Sequence, residues 1–199
     1  MTAAERPCYR SSPLRPHPPG DSILRRFARK IDAFQERWGI GVSWLTLGMV
    51  LIVFGDVVFR YLFNKSWVFT QELEWHLFGP VYLLAAGYTM LHNEHVRVDI
   101  WYAKQSARKK AWVDFILLFV MFFPSCVLII YTTWPFLKHS LQVNEGSPDP
   151  GSVPFRWALK SVIIIGFSLL ILQGISQAIK NFYWAMGWEE PDQRVQEIH

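Results

Sequence analysis

Residues 39–63 read GIGVSWLTLGMVLIVFGDVVFRYLF, and this stretch decides the solvent in which the chain folds. It is apolar for longer than the about 20 residues that carry an α-helix across the hydrocarbon of a bilayer. Stretches of the same kind run over 72–91, 112–137 and 155–182. Hydrocarbon offers backbone groups no partners, so each stretch must satisfy its own N–H and C=O groups and is predicted as a helix. The fold class expected is all-α: an integral membrane four-helix bundle, with helices over 39–63, 70–92, 111–137 and 155–182 inside a membrane domain of residues 38–183.

The flanks read differently. Residues 1–20 are rich in Pro, Arg and Ser and hold no apolar run, which predicts a disordered cytoplasmic tail. No apolar core of a secretory signal lies there, so the first spanning helix is expected to be retained. Between 21 and 37, Ile23, Leu24, Phe27, Ile31 and Phe34 recur at helical spacing, with basic residues largely opposite. That pattern predicts an amphipathic interfacial helix lying on the anionic leaflet, where each basic residue near the surface contributes about 1 kcal/mol. Residues 184–199 are expected to form a cytoplasmic C-terminal tail.

The net charge of +4 belongs to the membrane flanks rather than to a soluble nucleic-acid-binding face. Arg25, Arg26, Arg29, Lys30 and Arg37 precede the first helix, while Arg97, Lys104, Arg108, Lys109 and Lys110 fill the loop between the second and third. Basic loops stay in the cytosol, so both termini and the middle loop are expected to be cytoplasmic. Trp38, Trp44, Trp67, Trp112, Trp134, Trp157 and Trp184 fall near helix ends, as interfacial belts do. Cys8 in the tail and Cys126 deep in the third helix predict no disulfide and no thiol chemistry.

Local signals refine the helices. Thr70 is expected to cap the second helix, with Glu72 in its first turn. Pro80 and Pro124 are expected to kink the helices that hold them, and Pro154 suits the start of the last one. The segment QVNEGSPDPGSVP at 142–154 predicts an exposed turn. Gly41, Gly48 and Gly55 recur every seven residues, as do Gly79 and Ala86, and such small residues mark close helix packing. Gly166, Gln173, Gln177 and Lys180 form a polar stripe on the last helix, so Gln173 is expected to face another helix.

Few side chains could carry chemistry. Asp56 and Arg60 are spaced as an i,i+4 ion pair, and with Glu72, Glu74 and His76 they predict a structural polar cluster at the outer rim. His92, Glu94, His95 and Asp99 lack the complete ligand spacing of a metal site, and His76 and His139 sit too near the membrane edge for a haem pair. No phosphate loop or nucleophile elbow is present, so neither an enzyme nor a cofactor is expected. Internal repeats and broken helices around a midplane site, the usual marks of a secondary transporter, are missing. The chain reads as a subunit.

Asp56-Val-Val-Phe-Arg60-Tyr61-Leu-Phe63-Asn64, Ser66-Trp67, Gln71-Glu72-Leu73 and Asn93-Glu94-His95-Val96-Arg97-Val98-Asp99 resemble the small membrane subunit of tripartite ATP-independent periplasmic (TRAP) transporters. The resemblance covers residues 35–182, and the Glu-His-Val-Arg-Val-Asp segment is its most specific part. It implies a multi-pass protein of the bacterial inner membrane, a scaffold subunit in sodium-coupled uptake of organic acids. Its implied partners are a large permease subunit, a periplasmic substrate-binding protein and membrane lipids. It implies an interface or structural role for Asp56, Arg60, Glu72, Glu74, Gln173 and Gln177, and a cytoplasmic anchor at Glu94, Arg97 and Asp99. Docking of the binding protein is expected at Glu145, Ser147 and Asp149, in a third loop resembling those of family members linked to 2-oxo acids and monocarboxylates. A self-contained multidrug-type exporter and a haem-bearing membrane anchor are the alternatives.

Overall fold

The computed structural model describes residues 21–65, 67–92, 107–146 and 156–186, and all of its regular structure is helical. In chain order these are α1 (Asp21–Phe63), α2 (Val68–Leu91), α3 (Ala107–Leu117), a π turn (Leu118–Phe122), α4 (Phe123–Gln142) and α5 (Arg156–Met186). The tail over 1–20, the segment over 93–99 and the end of the chain from 187 lie outside the described residues, as do Glu94, Arg97, Asp99, Ser147 and Asp149.

Among the described residues, three helical stretches are long and apolar enough to cross a membrane: Ile23–Phe63, Lys109–Gln142 and Arg156–Met186. Helix α2 has 24 residues, about 36 Å at 1.5 Å per residue, but Gln71, Glu72, Glu74 and His76 dilute its outer turns. The architecture fits a membrane helical bundle.

The division expected at residue 38 is not a break, for α1 runs unbroken through 43 residues. Gly39 is the obvious candidate for a hinge, but it has another use. A Cβ there would lie 2.1 Å from Cδ2 of Tyr88, so the glycine lets α2 press against α1. Ala28, Ile31, Gln35, Gly39 and Val42 are buried at spacings of three and four residues, one continuous file turned into the bundle. Ile31, grouped by its sequence spacing with Phe27 and Phe34, is 5% exposed inside the bundle, whereas those two face outward.

Helix α2 starts two residues before Thr70. Its N-cap is Trp67, an extended residue with no side-chain cap bond, so Thr70 is not the cap. The Thr70 hydroxyl serves as a donor instead, 2.8 Å from the Asp56 carboxylate and 2.8 Å from the Trp67 carbonyl, and the charged acceptor is the stronger of the two.

Pro124 acts through the π turn just before it. A proline inside a helix offers no N–H and crowds the carbonyl four residues back, and a widened turn relieves both. The turn also aims Phe122 at α5, where a Cβ on Gly174 would stand 2.5 Å from Phe122 Cε1. Met90, Leu118 and Ala178 form the buried apolar cluster there, ringed by Phe115, Phe122, Phe123 and Leu170.

Helix α5 is the hub, packing against α1, α2, α3 and α4. One third of its most apolar window is buried (33%), against 11% for α1 and for the α3–α4 rod. Leu159 meets Gly79 and Leu83 meets Gly166, so α2 and α5 run parallel and the turns before Gly79 stand beyond the start of α5. Ala86 is half-buried on α2. The Gly41, Gly48 and Gly55 file has no close neighbour among the described residues: a Cβ at any of the three would have nothing within 4 Å. Close approach occurs at Gly39, Gly79, Gly87, Gly166 and Gly174, where an added Cβ would lie 3.0 Å or less from a neighbouring side chain or backbone.

Candidate functional site

Two polar clamps hold the helices. The outer one forms where α1 meets α2. Asp56 is 4% exposed. Its Oδ2 pairs with Arg60 Nη2 at 2.5 Å, one turn along the same helix, and its Oδ1 accepts the Thr70 hydroxyl at 2.8 Å. Both carboxylate oxygens are thereby engaged, which suits a neutralised structural pair better than an ion site. His76 lies one turn on from Glu72 and donates Nδ1–H to its backbone carbonyl at 2.8 Å, leaving Nε2 buried without a partner. Glu72 and Glu74 are half-buried beside it, and the Asp56 contacts come from Arg60 and Thr70.

The inner clamp joins α1 to α5. Asp32 Oδ1 accepts the Gln173 amide at 3.1 Å and the Ser176 hydroxyl at 2.7 Å, while Oδ2 pairs with Lys180 Nζ at 2.6 Å. Gln35 is fully buried, donates Nε2–H to the Leu169 carbonyl at 2.8 Å and lies against Gly87. Flanking contacts lengthen the seam: Glu36 with His92 at 3.0 Å, and the Arg25 guanidinium 5.1 Å from the centre of the Tyr183 ring. Gln177 faces along its own helix, 3.5 Å from Asn181 Oδ1. The oxygens of Gln35 and Gln173 are buried and unpartnered. Flipping either amide would set oxygen against an acceptor, so their present orientation is the better one.

Sequence reasoning found Gln173 and missed Asp32, Gln35, Glu36 and Ser176. Assigning residues 21–37 to the membrane surface placed Asp32 and Gln35 in solvent. A signal did exist, in the spacing of Ala28, Ile31, Gln35, Gly39 and Val42, which carries a core-facing file straight through that boundary.

The third loop begins with another pair. Lys160 on α5 reaches back to Glu145, and its ammonium lies 3.7 Å from the centre of the Phe136 ring. The hydrogen bond from Lys160 holds Glu145 below the ordinary carboxylate value. Beyond the clamps, a groove of about 560 Å³ opens between α2, the α3–α4 rod and α5, lined by Met90, Asp114, Leu118, Cys126, Phe167 and Asn181 among others. Among the described residues, no group of three or more His, Cys, Asp or Glu comes together as a metal site. Asp32, Glu36, Asp56 and Glu145 each meet a cation or an imidazole. What this arrangement does chemically is fasten helices.

Residues 49–183 match the protein family described as "Tripartite ATP-independent periplasmic transporters, DctQ component". A chain from Haemophilus influenzae, named as a TRAP transporter small permease protein, is 32% identical over 156 residues, covering 77% of this chain and 93% of that one. No solved structure matches the chain.

Proposed function

This chain belongs to the DctQ component family of tripartite ATP-independent periplasmic transporters, and we propose that it is the fixed scaffold against which a large permease subunit is held in the bacterial inner membrane. As the small permease subunit of such a transporter it belongs to a transport class rather than an enzyme class. In this reading all four hydrophobic stretches span, both termini are cytoplasmic, and the complex takes up an organic acid with sodium. A periplasmic binding protein delivers that acid.

The observation that carries the reading is the contrast between clamped and open faces. The two clamps fix α1, α2 and α5 relative to one another, yet Leu47, Val50, Leu51 and Phe54 on α1, and Val127, Leu128 and Tyr131 on α4, remain outward-facing. The Gly41, Gly48 and Gly55 file lies on that open side of α1, where small residues permit close backbone approach by a helix from another subunit. Glu94, Arg97 and Asp99 would anchor the cytoplasmic loop, and the loop starting at Glu145 would face the binding protein. A self-contained exporter or a haem anchor has no observation in its favour.

Gly48→Leu together with Gly55→Leu tests the packing. A Cβ at either position would have nothing within 4 Å among the described residues, so the purified variant should keep its helicity and melting temperature. Recovery of the large subunit in a mild-detergent pull-down should fall severalfold. Unchanged recovery would remove this face from the interface.

A further inference from the structure

We propose that the outward face of α1 between Ile23 and Trp38 docks onto anionic phospholipid headgroups. The helix is too long for the bilayer alone. Its 43 residues extend about 65 Å, against about 40–45 Å for a membrane with its headgroup layers. A tilt of about 40°, the steep end of the usual range, still leaves several ångströms of helix over. The basic end is the one that emerges: Arg26, Arg29, Lys30 and Arg37 are exposed, and none pairs with another described residue.

The acids of this segment lie elsewhere. Asp32 is clamped to Gln173, Ser176 and Lys180 on α5, and Glu36 is tied to His92 at the end of α2. Folding thus sorts the charges: Asp32 is turned into the bundle and Glu36, though 44% exposed, is neutralised by His92, so the charges left unpaired on the outward face are cations. Phe27, Phe34 and Trp38 form the adjoining file, from 37% to 49% exposed. Apolar rings beside long cationic side chains suit the boundary between acyl chains and phosphates. Because the Asp32 clamp stops α1 from rolling about its axis, the cationic face keeps a fixed aim. An anionic lipid surface fits that face, whereas a soluble acidic partner would leave the aromatic file in water.

The inference needs the chain to sit in a membrane but does not depend on its place in a transporter. In the test, dioctanoyl phosphatidylglycerol or dioctanoyl phosphatidylcholine is titrated into the full chain in mild detergent, and bound lipid is counted by native mass spectrometry. A cation near an anionic surface favours binding by about fivefold, so phosphatidylglycerol should bind at least about tenfold more tightly. R26Q/R29Q/K30Q/R37Q should abolish the preference, while K65Q/K138Q should leave it intact. In the unmodified chain, the preference should shrink as salt rises from about 0.05 M to about 0.5 M, a readout that needs no variant to fold. Equal affinity for the two lipids, a preference indifferent to salt or surviving in the quadruple variant, or displacement of the lipid by inorganic phosphate would overturn the proposal.

Discussion

Asp56 and Asp32 are both aspartates of α1, both held by a cation and by hydroxyl or amide donors, yet they stand in opposite relations to the sequence. Asp56 takes its cation from Arg60, four residues on, and its hydroxyl from Thr70 just across a short turn. Asp32 takes everything from α5, with Ser176 144 residues away. The outer clamp therefore closes a local hairpin, while the inner clamp joins the two ends of the described chain. Local clamps stiffen a piece of the fold. Distant ones decide its topology, and their loss should be felt more widely.

The largest effect is expected at Lys180. Lys180→Ala leaves the Asp32 carboxylate, 19% exposed, without its cation. Breaking a buried pair costs about 3–5 kcal/mol, and partial exposure here lowers that to about 2–3 kcal/mol. Thermal unfolding of the purified chain should shift accordingly, and Asp32→Asn added to Lys180→Ala should recover part of the loss. A neutral Lys180→Ala would show that the seam between α1 and α5 is held by packing alone.

Thr70→Val should cost less, about 1–2 kcal/mol, because Asp56 keeps Arg60 when it loses a hydroxyl donor. Arg60→Ala should cost more than Thr70→Val and approach the cost of Lys180→Ala, because it leaves the Asp56 carboxylate, its side chain 2% exposed, with only the Thr70 hydroxyl. A cost exceeding that of Lys180→Ala would reverse the ranking of local and distant clamps.

The smallest effect belongs to Glu145 and Lys160, a half-buried pair that ties the start of a loop rather than two helices. The folded state lowers the Glu145 pKa, so its stabilisation is present above the ordinary carboxylate value and disappears as pH falls through the lowered one. Protection of the amides at residues 144–146, measured against the intrinsic exchange rate at each pH, should be present at neutral pH and lost in acid, with Lys160→Gln already unprotected at neutral pH. Identical profiles for the two chains would mean that the pair does not order the loop.

The same local-versus-distant contrast explains what the sequence made legible. The apolar stretches, the Asp56–Arg60 spacing and the disturbance at Pro124 are all local: each is written within a few turns of one helix. The continuity of α1 was not legible, since Gly39 looks like a hinge until Tyr88 is seen to occupy its missing side chain. The heptad of Gly41, Gly48 and Gly55 was visible but ambiguous. Small residues permit close approach without saying whose helix approaches, and only the structure shows that none of the described residues does so. Asp32 and Gln35 sat in a segment whose composition matches a surface helix, and their partners lie on the last helix.

In this reading the chain is a static brace, and its two clamped carboxylates, Asp32 and Asp56, are both engaged in holding helices. Uptake of a labelled organic acid into liposomes under an imposed sodium gradient tests that claim most directly. The account predicts no uptake by liposomes holding this chain alone, and uptake once the large subunit and the binding protein are added. Gradient-driven uptake by the chain on its own would contradict it.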